Sequence, residues 1–212
     1  NVGWGGVKKT AELGGKVVAI AGPDGYIYDP DGAVTDEKIN YLLEMRASGR
    51  DKVQDYADKF GCEFHAGEKP WGLGADKVDI MMPCATQNDV NMDSAKKIAA
   101  SGIKYYIEVA NMPTTNDALE FLKEQKHMVV APSKAVNAGG VSVSELEMAQ
   151  NAERLYWTAE EVDAKLKGIM KNIYHSSVEV AERYGLGYDL VAGANIVGFQ
   201  KVADAMMAQG IF

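Results

Sequence analysis

Short apolar runs alternate with longer segments of helical periodicity along this chain. The runs cover residues 16–22, 77–85, 103–111 and 127–133, and each is continuously apolar at its centre. Continuous rather than alternating apolar residues are typical of strands that are buried on both faces of a parallel sheet. The pattern therefore predicts four strands of such a sheet.

Helix signals separate these runs. Thr35 followed by Asp36 and Glu37 is an N-cap with acids in the first turn. The four helices predicted between the runs cover about residues 36–47, 51–60, 93–100 and 116–125. Gly61 and Gly102 would end the second and the third, and Thr115 precedes the fourth. Strands alternating with helices indicate βαβ units with right-handed crossovers. We therefore expect an α/β fold with a Rossmann-like, doubly wound and mostly parallel sheet.

The last third of the chain is helical. Thr158 and Glu161 form a capping-box pattern before a helix that ends near Tyr184, and the glycines of residues 185–189 break it. A final helix follows. The apolar faces predicted for these two helices consist of Val162, Leu166, Ile169, Met170 and Ile173, and of Ile196, Phe199, Ala203 and Met206. We divide the chain into a dinucleotide-binding domain of residues 1–185 and a C-terminal helix segment of residues 186–212.

Composition narrows the possible partners. The chain has 212 residues, and its formal net charge of −8 argues against nucleic acid as a partner. No apolar run approaches the roughly 20 residues that a membrane span needs. Cys62 and Cys84 lie far apart, which indicates free thiols and a cytoplasmic location. The three histidines are scattered without the spacing of metal ligands, so we expect no metal site.

The first residues fit half of a phosphate-binding motif. Asn1, Val2 and Gly3 match the end of the pattern G-x-G-x-x-G, in which the last glycine lets a helix pack closely on the sheet. Val7, Ala11 and Leu13 would form the inner face of that helix, and Gly14 and Gly15 would end it. The alternative is an ordinary glycine-rich helix entry.

Asp24 follows the second strand of a dinucleotide-binding unit, where an acid often binds the ribose hydroxyl groups. Pro23, Asp24 and Gly25 are also an ordinary turn sequence, so a turn-forming role is the alternative. No lysine or arginine stands in this short loop to receive a 2′-phosphate. The loop therefore favours NAD over NADP.

Three later stretches carry a family resemblance: "MPCATQND" at residues 82–89, "EVANMPTTNDA" at 108–118 and "APSKAVNAGGVSVSELEMAQN" at 131–151. Together with residues 22–32, 45–50 and 191–210, they resemble the cofactor domain of hexameric bacterial glutamate dehydrogenases, best the clostridial-type, NAD-using members. The resemblance covers essentially the whole chain. It implies that a first strand, the start of the glycine motif and a catalytic half with its lysine and aspartate precede Asn1. It also implies that the C-terminal helices pack back toward that N-terminal domain.

The resemblance also implies cofactor contacts at the strand ends. The expected NAD-binding residues are Asn1, Val2, Asp24, Ala85, Thr86, Ala110, Asn111 and Asn137. Purely structural roles are the alternatives for two more of them: Thr86 could cap a helix, and Asn111 could form an Asx turn.

For the substrate, the resemblance implies contacts from Asn137, Val141 and Ser144, with the Ser144 hydroxyl binding the γ-carboxylate of L-glutamate. A back-bonding hydroxyl on a helix surface is the alternative for Ser144. The implied reaction is oxidation of L-glutamate to 2-oxoglutarate and ammonia by a homo-hexamer, and the rival hypothesis is a stand-alone NAD-binding or regulatory module. Lys134 is expected to stabilise its loop, since the family's catalytic lysine belongs to the other half.

Overall fold

A computed structural model of the chain describes residues 2–210. The N-terminal part contains α1 (Val2–Glu12), β1 (Ala19–Gly22), β2 (Gly25–Tyr28), α2 (Asp36–Ala47), α3 (Gln54–Phe60) and β3 (Glu63–Ala66). A 3₁₀ turn (Pro70–Gly72) leads to β4 (Ile80–Met81), α4 (Met92–Ser101), β5 (Tyr105–Ile107), α5 (Asn116–Lys123) and β6 (Val129–Ala131). The C-terminal part is helical: α6 (Ser133–Val136), α7 (Ala138–Glu153), α8 (Ala159–Arg183) and α9 (Leu190–Gln209).

Strands β4, β5 and β6 form the predicted parallel sheet, in that order. Tyr106 at its centre pairs with Met81 on one side and with Val130 on the other. The strands are shorter than the apolar runs that predicted them. The reason is that the chain leaves the sheet early: the backbone N–H groups of Val109 and Ala110 both donate to the carbonyl of Pro83, beyond the last paired residues.

The strand predicted at residues 16–22 is not part of a parallel sheet. β1 begins only at Ala19 and pairs antiparallel with β2, which pairs antiparallel with β3. Pro23 and Asp24 form the two-residue turn of the first hairpin, since Gly22 pairs with Gly25. β2 and β3 were not predicted, because each has only four residues and neither shows a continuous apolar run.

Each of the two sheets therefore ends in a strand with one unpaired edge. β1 pairs only with β2, and β4 pairs only with β5, within residues 2–210. The indole N–H of Trp71, which is buried in the same core as Met81, has no hydrogen-bond acceptor among these residues. Unpaired strand edges and an unpartnered buried donor are features that folded proteins normally cover.

The helix boundaries follow the sequence signals closely. Thr35 caps α2 by accepting a hydrogen bond from the N–H of Lys38, and Thr158 and Glu161 form the predicted capping box of α8. α3 and α4 end at Gly61 and Gly102, whose φ angles of 69° and 76° are the left-handed conformation that favours glycine.

The core has two parts. One packs the parallel sheet against α4 and α5 through Ile98, Tyr106 and Leu122, and the other packs β2 against α1, α2 and α3. Asp29, which is 4% exposed, joins elements of the second part because its Oδ2 accepts hydrogen bonds from Lys38 Nζ (2.6 Å) and Tyr56 Oη (3.0 Å). Burial by itself would raise the pKa of Asp29, but these two donors outweigh it and hold that pKa below its usual value.

Several expected core positions are exposed instead. Leu13 lies just beyond the end of α1 and is 76% exposed, and a Cβ atom at Gly3 would meet no atom within 4 Å, so Gly3 does not serve close packing here. Phe199 and Met206 on α9 are 70% and 46% exposed. The predicted stripe of α9 is therefore buried only in part, and the five residues predicted for the α8 face are half-buried.

The two long C-terminal helices pack backbone to backbone at one point. A Cβ atom at Gly193 of α9 would lie 2.0 Å from the carbonyl oxygen of Ser177 on α8. Only glycine allows this approach. Gly198, five residues further along α9, has open space at its Cβ position.

We predict that Gly193→Ala lowers the free energy of unfolding by about 1–3 kcal/mol or more, because the added methyl group forces the two helices apart. Gly198→Ala is the matched control and should raise stability by about 0.5–1 kcal/mol, since alanine is the better helix former. Urea unfolding of the three proteins measures this. Equal effects at the two positions would contradict the α8–α9 packing.

Candidate functional site

The segments that follow β4 and β5 are clamped together. The N–H of Asn88 donates to the carbonyl of Met112 (3.0 Å), and the N–H of Val90 donates to the carbonyl of Pro113 (2.9 Å). In the other direction, the N–H of Thr115 donates to the carbonyl of Val90 (3.0 Å). The two predicted motifs at residues 82–89 and 108–118 therefore lie side by side at the carboxyl edge of the parallel sheet.

The tip of the β1–β2 hairpin is connected to the same edge. The N–H of Gly67, just after β3, donates to the carbonyl of Asp24 (2.8 Å). Two residues later, Lys69 Nζ lies 3.2 Å from Oδ1 of Asp89, in the segment that follows β4. The hairpin tip thus reaches the β4 end through the loop after β3.

The segment after β6 joins this edge through a buried carboxylate. Oε2 of Glu108, the residue after β5, accepts a hydrogen bond from the N–H of Ser133 (3.0 Å). Ser133 begins α6, and Asn137 ends it and stands at the start of α7. The structure therefore brings together the stretches around Asp24, Thr86, Asn111 and Asn137.

Ala85 and Thr86 lie in the exposed part of the segment after β4. The alternative role for Thr86, a helix cap, is wrong: the cap of α4 is Asn91, whose Oδ1 accepts from the N–H of Ser94. Neither Thr86 nor the neighbouring Gln87 forms a side-chain hydrogen bond within residues 2–210. Both polar groups remain open to a ligand.

Ala110 is buried, whereas Asn111 is exposed. The side-chain amide of Asn111 makes no hydrogen bond to another described residue, so the Asx-turn alternative is wrong as well. The turn is instead made by Met112, which adopts a φ of 47°. The Asn111 amide is therefore free to bind a ligand at this edge, and its contact with a ribose stays a prediction.

Asp24 is the turn residue that its alternative described, and it does more. Its Oδ1 accepts from the N–H of Val53 and its Oδ2 from the N–H of Gln54, both at 3.0 Å, at the start of α3. Sequence reasoning missed this cap because the partners lie 29 and 30 residues away. Each carboxylate oxygen keeps a further lone pair, and the ribose contact stays a prediction.

The fold brings two basic side chains to the hairpin from outside its own sequence. Lys69 and His65 arrive from the β3 segment, and the His65 ring stacks on Tyr26 with ring centres 4.4 Å apart. The loop around Asp24 itself contains no lysine or arginine, as expected, but Lys69 approaches from another segment. Lys69 is paired with Asp89, which offsets its charge.

The substrate candidates lie on the first turns of α7. Val141 is 70% exposed, and Ser144 is exposed on the same side. Ser144 Oγ donates to the carbonyl of Gly140 (3.3 Å), which is the back-bonding arrangement of its alternative. Asn137 is half-buried and its side chain caps neither helix.

At the N-terminus, Val2 is the first residue of α1 and is 50% exposed, while Asn1 lies outside the described residues. Lys134 donates to Oδ1 of Asn195 on α9, so it ties its loop to the C-terminal helix as expected. Asn195 was not predicted, because nothing in its local sequence indicates the contact.

Known proteins match this chain along its length. The profile of the Glutamate/Leucine/Phenylalanine/Valine dehydrogenase family matches residues 1–210. The chain belongs to this family. It is 72% identical over 211 residues to the NAD-specific glutamate dehydrogenase of Clostridium symbiosum and 47% identical over 211 residues to the NADP-specific glutamate dehydrogenase of Escherichia coli. All of this chain is covered in both alignments, but only 46% of each relative.

A solved glutamate dehydrogenase structure shares the fold. It superposes with a TM-score of 0.94 at 72% identity over 98% of this chain and 46% of that one. This match confirms the Rossmann-like α/β class that the strand and helix pattern predicted. The chain spans about half the length of the relatives it matches.

The polar side chains at the strand ends suit a nicotinamide dinucleotide. Thr86, Gln87 and Asn111 present uncommitted hydroxyl and amide groups, which suit ribose hydroxyls and a base edge. No group of three or more histidine, cysteine or acidic side chains suited to a metal ion occurs in residues 2–210. Cys62 and Cys84 are free, and burial raises the pKa of both thiols. No helix in this range is long and apolar enough to cross a membrane.

We predict that Asp24→Ala costs about 0.5–2 kcal/mol of stability, since two backbone N–H groups at the start of α3 lose their acceptor. Asp58→Ala, an exposed substitution within the same helix, is the control and should change stability little. Thermal unfolding followed by circular dichroism measures both variants. If Asp24→Ala unfolds like the control, the cap contributes nothing.

Proposed function

We propose that this chain is the NAD-binding portion of an L-glutamate dehydrogenase. The carrying observation is the convergence of the strand-end segments around Asp24, Thr86, Asn111 and Asn137 on one edge, where open α/β sheets bind ligands. Membership of the family and the 72% identity to an NAD-specific glutamate dehydrogenase support the choice of substrate and cofactor.

In this proposal the described residues bind and orient the cofactor. Ala85 and Thr86 line the adenosine side, and Asp24 contacts the ribose hydroxyls from the hairpin tip. Ala110 lets the nicotinamide ribose approach the sheet, and Asn111 hydrogen-bonds it. Asn1 and Val2 belong to the pyrophosphate turn. The separation of binding groups along one edge holds the cofactor in a single direction.

The same edge carries part of the substrate pocket. Asn137 lies between the cofactor and the α-amino end of glutamate, while Val141 packs on its side chain and Ser144 binds the γ-carboxylate. Bound NAD would supply the hydride acceptor for oxidation of the substrate at its α-carbon, and hydrolysis of the resulting imine would give 2-oxoglutarate and ammonia. Proton transfer requires a lysine and an aspartate that we assign to the part of the relatives that this chain does not span.

The longer protein also explains the uncovered edges. In the doubly wound strand order 3-2-1-4-5-6, the first strand lies between the second and the fourth. In this proposal β1 takes the second position and β4 the fourth, so that a strand between them would join the two sheets. We further propose that residues 186–212 pack toward the N-terminal domain, that the full-length protein is a homo-hexamer, and that it is cytoplasmic. Size-exclusion chromatography with light scattering tests the hexamer.

We predict that Ser144→Ala in the full-length protein lowers kcat/KM for glutamate by about 10- to 150-fold. A hydrogen bond to a charged group is worth roughly 1.5–3 kcal/mol. KM should carry most of the loss, because the contact exists in both the ground and the transition state. The value of kcat/KM for norvaline, which lacks the γ-carboxylate, should fall little, so discrimination between the two substrates narrows.

Ser48→Ala is the matched control for this test. Ser48 is exposed and donates to the carbonyl of Glu44, four residues earlier, in the manner of Ser144 and Gly140. It should leave both substrates unaffected. If Ser144→Ala lowers kcat/KM equally for glutamate and norvaline, the hydroxyl is structural and the substrate assignment fails.

We predict that the full-length protein prefers NAD to NADP by at least about 10-fold in kcat/KM, because the Asp24 carboxylate repels a 2′-phosphate. The paired Lys69 does not compensate, since Asp89 lies beside it. Asp24→Ser should narrow the preference. Steady-state kinetics with each cofactor decide the matter, and equal or better use of NADP by the wild type would reject it.

A further inference from the structure

One carboxylate is buried beneath the strand ends without a cation. Glu108 is 2% exposed, and its N–H donates to the carbonyl of Ala131 (3.0 Å), so the residue is held between β5 and β6. Its side chain accepts the N–H of Ser133. No ion pair joins it to a lysine, arginine or histidine of residues 2–210. This differs from Asp29, whose buried charge is paired with Lys38.

Such a group is costly to fold. A carboxylate removed from water loses its hydration, and one hydrogen bond replaces only a part of it. An apolar side chain would fill the same place without this cost, as Ile98 and Leu122 do elsewhere in the same core. The N–H of Ser133 requires an acceptor at this place, but a neutral amide oxygen could provide it, so the core alone gives no reason for a negative charge at position 108.

The charge acts on its surroundings. Burial raises the pKa of the neighbouring Tyr106 hydroxyl, the Thr114 hydrogen bond opposes this rise, and the negative charges of Glu108 and Asp89 add to it. An electrostatic effect of this kind extends through the poorly screened interior more strongly than it would through water.

The position of Glu108 relates it to one end of the candidate site. It precedes Ala110 and Asn111 by two and three residues, and through Ser133 it holds the short helix that ends at Asn137. In the proposed function, these are the residues around the nicotinamide and its ribose. The carboxylate thus lies under the nicotinamide end and not under the adenosine end.

We propose that Glu108 supplies a negative charge that raises the affinity of this site for the oxidised cofactor relative to the reduced one. The nicotinamide ring of NAD⁺ carries a positive charge, and that of NADH is neutral. A buried carboxylate attracts the first and has little effect on the second. This inference rests on the proposed function. It assigns to Glu108 an effect on the relative affinities for NAD⁺ and NADH and no part in hydride or proton transfer.

The substitution Glu108→Gln separates charge from hydrogen bonding. A glutamine side chain has the same shape, and its carbonyl oxygen can accept the N–H of Ser133. The position of α6 and Asn137 should therefore persist while the charge is removed. Glu182→Gln removes one negative charge from an exposed position on α8 and is the matched control.

The experiment measures dissociation constants of NAD⁺ and of NADH separately for the full-length wild type and both variants, without substrate, by calorimetry and by NADH fluorescence. Glu108→Gln should weaken NAD⁺ binding by about 10-fold and change NADH binding by less than about twofold, as expected for loss of one nearby charge. The control should change neither. Equal weakening of both cofactors, or no change in either, overturns the proposal.

Glu108→Asp keeps the test decisive if the glutamine variant does not fold. The aspartate variant retains the charge, so the ratio of the two dissociation constants should stay within about twofold of the wild type. If Glu108→Asp, which keeps the charge, shifts this ratio against NAD⁺ by about 10-fold, the proposal is overturned. A wild type that binds neither cofactor would refute the proposed function itself, whereas a wild type that binds both leaves Glu108 as the only question.

Discussion

Parallel pairing of β4, β5 and β6 is the constraint on which the candidate site depends. In a parallel sheet every strand ends at the same edge, so the chain must leave Met81, Ile107 and Ala131 on one side of the molecule. Backbone groups that have left the sheet still need partners, and they find them in each other. The bond between Asn88 and Met112, which are 24 positions apart, follows from this requirement and aligns the two motifs.

Three acids, the half-buried Asp24 and the buried Asp29 and Glu108, illustrate different ways in which this fold satisfies a carboxylate. Asp24 accepts two backbone N–H groups at a helix start, and Asp29 combines a lysine with a tyrosine hydroxyl. Glu108 has a single backbone donor. The first two stabilise contacts between elements, because their partners belong to other parts of the chain. The third also joins two elements, because its partner Ser133 begins α6, and its place beneath the strand ends connects it with cofactor binding in the proposal.

The helices could be predicted well because their signals are local. Thr35 and the capping box of Thr158 stand within one turn of the groups they affect, and Gly61 and Gly102 end their helices through their own backbone conformation. The strands were predicted less well. A four-residue antiparallel strand such as β2 leaves little periodicity to detect, and its pairing is decided by a turn and by β3, which follows 34 residues after its end.

The sequence alone determined the α/β class, most helix ends, and the stretches of polar residues that a dinucleotide-binding dehydrogenase would need, since these rest on local spacing and on motifs. Only the tertiary structure decided what the individual side chains contact. It assigned Asp24 to the start of α3, released Thr86 from a capping role, tied Lys134 to Asn195 and buried Glu108 without a cation. The physical reason is that hydrogen bonds and burial depend on neighbours in space, and those neighbours are set by the packing of distant elements.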